Sequence, residues 1–510
     1  MENLMMLLGG FQTVLTFENV GVCLLGAILG LVVGAMPGIG SLAGVALLLP
    51  LTYKFDPTAA IIMLGALYYS NMYGGAFSAI LLNIPGDSPA VMTARDGYPM
   101  AKKGQPGQAL FAANISSCIG GMIGMLILTF LGPALAHLGL KFGPAQMAAL
   151  MILALCSIGY LLGEDDPTKG TIATLLGFLV ASIGMDTLTG SPRFNFGNIY
   201  LMGGIPFISF VIGAVGFSQV IDLMVGRHKE IPMPGDKLTL RGSMLSADQM
   251  KRILPPAIRS GFLGTLIGVL PGSGATTAAV MSYSIQTGFQ KKKEGKPGYV
   301  KMGEGAIEGV AASEAANNSA AAGAFAPLLA LGIPGSGTGA VLLGGLMMWG
   351  LEPGPLLFTN EPEFAWGLIA SLFLANVFAL MIAMGIIPYL IKILAVPVKY
   401  MIPIITVICF VGAYATSNSM YGVIVMIASG VVGYFFKKGG IPVTSMLLAY
   451  VLSPIFEGNL RKAFIISGGS PAIFFNEPVA CAFMVLTIFM VSFPTMKKLY
   501  RAAKAKKTNV

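Results

Sequence analysis

The first half of the chain contains MPGIG at Met36–Gly40 and NIPGDS at Asn83–Ser88. The second half contains LPGSG at Leu270–Gly274 and GIPGSG at Gly332–Gly337, so this pair of motifs occurs twice, about 230 to 250 residues apart. Each motif interrupts a long apolar segment. Because proline and glycine break helices, each interruption leaves backbone N–H and C=O groups without helical partners.

The composition places these interruptions in a lipid bilayer. The chain has 510 residues, of which 55% are hydrophobic and only 10% are charged, and its mean hydropathy is +0.79. Soluble domains carry about 25% charged residues, whereas apolar stretches of roughly 20 residues recur along nearly this whole chain. We therefore predict an all-α polytopic membrane protein. In such a protein, paired helix breaks in two halves are typical of the binding site of a secondary transporter.

Other classes of function are disfavoured by the charge pattern. The net charge of +9 comes from basic residues in the loops between apolar segments, as the positive-inside rule describes, so we expect no nucleic-acid binding. The five cysteines lie in apolar segments without C-x-x-C spacing, and the two histidines are too few for a metal cluster. We therefore expect no cofactor, and no cleaved signal peptide because the N-terminus lacks a basic region.

Loop charges indicate that the two halves enter the membrane from opposite sides. In the first half, the loop between the motifs is nearly uncharged and the loop after them is basic, with Arg95, Lys102 and Lys103. In the second half, the loop between the motifs is basic at Lys291–Lys296 and the loop after them is acidic. We therefore predict two inverted-topology repeats, with about 11–12 transmembrane helices and two re-entrant hairpins.

This scheme divides the chain into four regions. They are a first inverted repeat with broken helices and a re-entrant hairpin (1–226), a cytoplasmic polar linker (227–252), a second inverted repeat (253–496) and a basic cytoplasmic tail (497–510). Arg461 and Lys462 fall on the outside, against the positive-inside rule. Whether residues 3–17 form an extra crossing stays open.

The predicted substrate site lies at two of the breaks, the first tip (Met36–Ser41) and the second tip (Leu270–Thr276). Glycine lets the backbone approach a ligand closely, and a helix that starts after the break presents N–H groups and a positive dipole end to an anion. A helix kink or tight packing is the structural alternative. The predicted substrate-binding residues are Gly38, Gly40, Ser41, Gly272, Ser273, Gly274 and Thr276.

A second group of residues is predicted to bind a cation or the substrate. The breaks at Asn83–Ser88 and Gly332–Gly337 combine unwound carbonyls with small polar side chains. Acids and amides inside a membrane span are costly and usually functional, and Glu314 and Asn318 share one helix face. The group comprises Asn83, Gly86, Glu314, Asn317, Asn318, Gly335 and Ser336.

Structural roles are the alternative for this second group. The segment Asn83–Ser88 could be an ordinary loop, with Asp87 and Ser88 at the membrane surface. Glu314 could lie at the cytoplasmic end of a helix. Asn71, in an otherwise apolar helix of the first half, could make an interhelical hydrogen bond.

Five stretches of the chain resemble the large membrane subunit of the tripartite tricarboxylate transporters, the TctA family. They are Gly34–Pro50, Tyr73–Gly86, Asp96–Met100, Glu314–Gly335 and Pro454–Ser467, and they span nearly the full length of the chain. The chain departs from the family pattern at Ser467–Ser470, where Ser-x-Gly-Asp is common, and at Ser319, where alanine is expected after the paired asparagines.

The resemblance implies a secondary active importer of a tricarboxylate or related organic anion in the bacterial inner membrane. It also implies a small membrane subunit, a separate periplasmic solute-binding protein and a Na⁺ or H⁺ gradient as the driving force. No recognisable residues specify the substrate, the coupling ion or its stoichiometry. The same holds for the oligomeric state and for the choice between elevator and rocking motion.

Two other functions compete with this interpretation. A passive anion channel would not need closed hairpins. An intramembrane serine hydrolase could use Ser273 as nucleophile, but a nucleophilic serine needs a base within hydrogen-bond reach. The two histidines, His137 and His228, lie near a membrane face and in the polar linker, so we expect a non-enzyme.

Overall fold

A computed structural model of the chain describes residues 2–36, 39–161, 166–186, 188–226, 238–292, 299–394 and 398–492. Gly38 of the first tip, much of the predicted linker and the predicted basic tail lie outside these ranges. The chain forms two compact units, one from residues 1–139 and 206–435 and the other from 140–205 and 436–510. Each unit draws on both halves of the sequence. The predicted repeat boundaries therefore stay predictions.

The first unit contains most of the helices. Those from the first half are α1 (Glu2–Val14), α2 (Phe17–Ala35), α3 (Gly40–Leu48), α4 (Pro57–Leu82), α5 (Val91–Lys102) and α6 (Pro106–Gly139). After the second unit's first segment, the chain returns with α9 (Phe207–Val211) and α10 (Ser218–Val225), joined through a π-helical turn at Ile212–Phe217.

The second half of the sequence adds further helices to the first unit. They are α11 (Leu240–Ser243), α12 (Ala247–Gly268), α13 (Gly274–Lys291), α14 (Ile307–Gly323), α15 (Phe325–Leu331), α16 (Gly337–Met348), α17 (Leu357–Asn360), α18 (Pro362–Ile386), α19 (Leu390–Leu394), α20 (Val398–Ser417) and α21 (Met420–Gly439), the last of which runs on past the end of this unit.

In the described residues, the second unit is built on four longer helices, one short helix and two short strands. Its elements are α7 (Pro144–Leu161), α8 (Pro167–Ala181), β1 (Gly184–Met185), β2 (Pro192–Arg193), α22 (Val443–Ile466), α23 (Ile473–Asn476) and α24 (Pro478–Ser492). The two strands pair antiparallel, with Gly184 opposite Arg193. Small alanines of α7 pack against Ala463 of α22 and Ala480 of α24, which lets these helices approach closely.

The all-α polytopic membrane architecture is confirmed. Seven helical segments in the described ranges are long and apolar enough to cross a membrane, namely α2, α6, α9–α10, α18, α20, α21 and α22. Four shorter apolar helices accompany them: α7, α8, α16 and α24. The total of about 11–12 crossings and the two re-entrant hairpins stay predictions. At 13 residues, α1 is shorter than the roughly 20 residues that a crossing needs.

All four predicted interruptions are present in the helices. The α2 helix ends at Ala35 and α3 begins at Gly40, and the equivalent gap in the second half separates α12 from α13. The other two breaks begin alike, because Asn83 after α4 and Gly332 after α15 are both left-handed, with φ of 58° and 68°. The segment before Gly332 contains one break more than predicted, at Ala324 between α14 and α15.

Two helices form the centre of the first unit. Every residue of α14 is buried, and so is nearly every residue of α4. The sequence of α14 explains how it can be enclosed on all sides, because its alanines, glycines and serines leave room for neighbouring backbones. The polar side chains of these two helices therefore lie in the protein interior.

Glycines bring α2 against α4 at backbone distance. A Cβ atom built on Gly30 would lie 2.3 Å from the carbonyl oxygen of Leu67, and one built on Gly34 would lie 2.3 Å from that of Asn71. No side chain fits at either position. This contact places the first tip beside the buried face of α4.

The same contact recurs in the second half between α12 and α14. A Cβ atom built on Gly264 would lie 2.4 Å from the carbonyl oxygen of Ala316, and one built on Gly268 would lie 2.2 Å from that of Ala320. Gly34 and Gly268 each stand three residues before the proline of a tip. Each tip therefore comes directly after a helix that packs through glycines against its neighbour.

Candidate substrate and cation site

The carboxylate of Asp87 lies against the first tip. Its Oδ2 accepts hydrogen bonds from the backbone N–H of Ser41, at 3.2 Å, and from Nδ2 of Asn71, at 2.9 Å. Its Oδ1 accepts a hydrogen bond from the N–H of Ser88, at 2.8 Å. The left-handed Gly40 (φ 67°) precedes Ser41 and starts the α3 helix, whose free N–H groups attract a negative charge. The carboxylate of Asp87 thus occupies the anion-binding position at the start of α3.

Asp87 and Asn71 are hydrogen-bonded to each other beside the first tip. Asp87 is partly buried and joins two helix breaks, whereas a surface loop residue would face water. Asn71 is fully buried, and its amide nitrogen binds Asp87 in the break that ends its own helix. The Oδ1 atom of Asn71 has no hydrogen-bond partner among the described residues. An acceptor oxygen beside a carboxylate is suited to a cation.

The break at Gly332–Gly337 in the second half, with the adjacent Thr338, also lies beside the first tip. The hydroxyl oxygens of Ser41 and Thr338 lie 3.0 Å apart, and those of Tyr68 and Ser336 lie 3.4 Å apart. Ser336 also caps α16, since its Oγ accepts the N–H of Gly339 at 3.1 Å. Three of the four predicted breaks, the first tip, Asn83–Ser88 and Gly332–Thr338, thus meet at one polar cluster, which we name the break cluster.

The second tip has a different local structure. Ser273 Oγ donates to the carbonyl oxygens of Ile267 and Leu270 within its own turn, the latter at 2.8 Å. Gly272 and Gly274 are left-handed, with φ of 75° and 61°. The side chain of Ser273, the N-cap residue of the α13 helix that follows, makes no capping hydrogen bond. Because the hydroxyl hydrogen of Ser273 is directed at backbone carbonyls, this serine lacks the activation that a nucleophile needs.

Glu314 belongs to a separate buried cluster. Its side chain is 0% exposed, and it accepts hydrogen bonds from Thr93 Oγ1 on α5 and from Ser117 Oγ on α6, the latter at 3.0 Å. Asn318 Nδ2 donates to the carbonyl oxygen of Glu314 at 3.0 Å. The Oδ1 atoms of Asn317 and Asn318 are buried without partners among the described residues. Glu314 thus lies deep in the protein, away from the helix end that was its alternative position.

The remaining predicted residues lie at points of close backbone approach. A Cβ atom on Gly86 would lie 1.9 Å from the carbonyl oxygen of Gly34, and one on Gly335 would lie 3.1 Å from that of Gly268. Asn83 is exposed at the end of α4, and Thr276 is partly exposed on the first turn of α13. Reasoning from the sequence gave too little weight to Asn71, Asp87, Thr338 and Tyr68. The signal for Asn71 was an amide in an otherwise apolar helix, and the signal for Asp87 and Thr338 was their position in or beside a break.

Residues 20–448 match the tripartite tricarboxylate transporter TctA family. This chain belongs to the TctA family. The resemblance seen in the sequence is therefore confirmed, and this TctA protein is a membrane subunit of a tripartite tricarboxylate transporter. Membership in a transporter family argues against an enzyme.

Two curated relatives of this TctA protein come from Agrobacterium vitis. One, named an uncharacterized 52.8 kDa protein in the TAR-I ttuC' 3' region, is 37% identical over 94% of this chain and 94% of its own length. The other, named an uncharacterized protein in the TAR-II ttuC' 3' region, is 36% identical over 45% of this chain and 92% of its own length. No solved structure matches the chain.

Proposed function

We propose that this TctA protein is the large membrane subunit of a secondary active transporter that imports a carboxylate across the bacterial inner membrane. A small membrane subunit completes the carrier, a periplasmic binding protein supplies the substrate, and a Na⁺ or H⁺ gradient drives uptake. The observation that supports this proposal best is the break cluster, in which Ser41 and Thr338 lie 3.0 Å apart. Three unwound segments that converge on buried polar groups are the arrangement of a transporter site.

The glycine-packed helix pairs support a carrier built from two repeats. The pairs α2–α4 and α12–α14 have the same close backbone contact, three residues before the proline of each tip. The breaks that follow α4 and α15 start with the same left-handed residue. Opposite loop charges would make these repeats inverted, so that motion of one relative to the other opens the site to alternate sides.

The two tips have different roles in the proposed mechanism. At the first tip, Asp87 already accepts the N–H of Ser41, so a substrate carboxylate would have to displace it. At the second tip, the N-cap residue Ser273 makes no capping bond to α13, so the start of this helix is the better position for a substrate anion. We therefore propose that the substrate carboxylate binds Gly272, Gly274 and Thr276.

Cation binding is proposed at the polar groups on the other side of the site. Asp87 supplies a carboxylate, and Asn71 supplies a buried oxygen without a partner. Glu314, with Asn317 and Asn318, is the second candidate position. Neutralising the substrate's negative charge with a cation would lower the cost of moving it through a low-dielectric interior.

The test is uptake of radiolabelled citrate and succinate by proteoliposomes that contain this protein with its two partner subunits. The proposal expects accumulation above the external concentration when a Na⁺ or pH gradient is imposed. Gly272→Val, which places a β-branched residue at a left-handed backbone position of the second tip, is expected to abolish uptake while expression stays intact. Uptake that only equilibrates the substrate would instead indicate a passive channel, and normal uptake by Gly272→Val would refute the substrate site.

A further inference from the structure

We propose that Arg259 binds the phosphate group of an anionic phospholipid, whose acyl chains lie along the exposed apolar side of the hairpin formed by α12 and α13. The headgroup of this lipid would lie at the opposite end of the hairpin from the second tip. Three features of the hairpin point to it. They are an arginine without a carboxylate partner, the position of that arginine near a basic end, and an apolar surface that leads from it toward the tip.

Arg259 lies on α12 and contacts two residues of α13. Its guanidinium carbon lies 4.0 Å from the centroid of the Phe289 ring, and its Nη2 donates to Gln286 Oε1. Among the described residues, no carboxylate forms an ion pair with Arg259. Since a guanidinium has five N–H donors, the bond to Gln286 leaves this group able to bind an external anion.

The polar groups beside Arg259 contain fewer negative charges than positive ones. Gln286 Nε2 donates to Gln290 Oε1 at 3.3 Å, and Gln290 Nε2 donates to Glu308 Oε2 at 3.2 Å. The carboxylate of Glu308 already pairs with Arg252 at 2.7 Å. This hydrogen-bonded chain therefore contains two arginines and one carboxylate, and a second anion would balance its charge.

Arg259 lies near the basic end of the hairpin. Its two partners, Gln286 and Phe289, belong to the last two turns of α13, which ends at Lys291. Lys291 and Lys292 are exposed there. The loop charges predict that this end is cytoplasmic, where the anionic headgroups of the inner leaflet attract basic residues.

An exposed apolar surface leads from Arg259 toward the second tip. On α12, Phe262 and Leu266 are 54% and 63% exposed, and they follow Arg259 on the same side of the helix. On α13, Met281 and Ile285 are exposed as well. A charged group at one end of an apolar surface is the pattern that an amphiphile complements.

The length of this surface matches one leaflet of a bilayer. The α12 helix continues from Arg259 to Gly268, which at about 1.5 Å per residue is about 14 Å, close to half of the roughly 30 Å hydrocarbon core. A planar guanidinium can bind phosphate through two N–H groups at once. A transmembrane helix of a partner protein would instead need a carboxylate in an apolar segment to match Arg259, which is costly. The observations therefore favour a phospholipid.

Native mass spectrometry of the purified protein in a neutral detergent tests the lipid site without transport. The wild type is expected to bind dioleoyl phosphatidylglycerol more tightly than the zwitterionic dioleoyl phosphatidylcholine. Arg259→Gln should weaken phosphatidylglycerol binding roughly fivefold to tenfold, since it removes a charged donor to phosphate. Arg241→Gln is the matched control, because it removes the same charge from an exposed position on α11 and should leave the affinity unchanged.

A second variant tests the apolar part of the site. Leu266→Gln leaves Arg259 in place, and because Leu266 is exposed, the fold should stay intact. Binding of phosphatidylglycerol should weaken roughly threefold, since the acyl chains lose apolar contact. If Arg259→Gln does not fold, this variant gives the decision, and an affinity equal to that of the wild type would overturn the lipid site.

Other results would also overturn the lipid site. Equal phosphatidylglycerol affinities of the wild type and folded Arg259→Gln would show that Arg259 does not hold the headgroup. Wild-type binding of inorganic phosphate as tight as that of phosphatidylglycerol would reduce the site to one for a free anion. Displacement of the lipid by the small membrane subunit, with loss of that complex in Arg259→Gln, would assign this surface to a protein partner.

Discussion

The hydroxyl oxygens of Ser41 and Thr338 lie 3.0 Å apart, although 297 residues separate them in the chain. Ser41 is the last residue of the first tip and lies in the first turn of α3, and Thr338 lies in the first turn of α16. Both hydroxyls are buried. This pair is a direct link between the breaks of the two sequence halves.

Removing this link should weaken transport. Ser41→Ala and Thr338→Val each delete one partner of a buried hydrogen bond, which contributes about 1 kcal/mol net. We expect a threefold to tenfold loss of citrate uptake in proteoliposomes for each single variant, and little further loss for the double variant. Thr338→Ser keeps the hydroxyl and should retain uptake. Additive losses in the double variant would show that the two side chains act independently.

Gly86 should not tolerate any side chain. A Cβ atom there would lie 1.9 Å from the backbone oxygen of Gly34, so Gly86→Ala must separate α2 from the end of α4. The expected result is a lower melting temperature of the purified protein and loss of uptake. Gly288→Ala is the control, since a Cβ atom on that α13 residue meets nothing within 4 Å. Equal melting temperatures for the two variants would contradict the packing account.

Asp96 should be a major stabilising residue of the first unit. Its buried Oδ1 accepts the N–H groups of Gly303, Gly305 and Ala306 at 2.8 to 2.9 Å, and its Oδ2 accepts Tyr283 at 2.8 Å. Asp96→Ala leaves three N–H groups without this acceptor, at about 1–3 kcal/mol for each group that stays buried.

The comparison with Tyr283→Phe makes this prediction specific. That variant removes one of the four hydrogen bonds and should cost about 1 kcal/mol. The melting temperature should therefore fall much further for Asp96→Ala than for Tyr283→Phe. Similar falls would mean that the segment before α14 does not depend on Asp96.

A charge network in the second unit accounts for Arg461, which the positive-inside rule could not explain. Arg461 donates to Asp186 at 2.7 Å and to Glu457 at 2.6 Å, and Arg193 pairs with Glu457 at 2.7 Å. A paired arginine contributes little net charge to its side of the membrane. The pKa of Asp186 lies below its ordinary value because its carboxylate accepts the N–H groups of Thr189 and Leu188 and a hydrogen bond from the Arg461 guanidinium.

Asp186→Asn and Arg461→Gln should each lower the melting temperature at neutral pH, and the double variant should lower it by less than the sum. Folding depresses the pKa of Asp186. The stabilisation it gives is therefore complete above the ordinary pKa of 3.8 and is lost as the pH falls below it. The wild type and Asp186→Asn should thus converge in acid. A constant difference down to that range would assign the effect to something other than this ionisation.

Much of the candidate site follows from patterns along the chain. Proline and glycine at Pro85–Gly86 and Pro334–Gly335 must end helices, so the positions of the breaks were predictable. Glu314 and Asn318 could be recognised because acids and amides are rare in apolar segments. Asn71 and Asp87 were harder to assign, since each was also compatible with an ordinary structural role.

The sequence by itself determined the membrane class, the family and the four breaks, because these depend on composition and on local backbone chemistry. Only the tertiary structure decided that Asp87 occupies the start of α3, that Thr338 meets Ser41, and that Glu314 ends a chain of hydroxyls through Thr93 and Ser313. Such contacts depend on how glycine-packed helices from distant parts of the chain approach one another. That approach is set by the shapes of whole helix surfaces, which no short motif encodes.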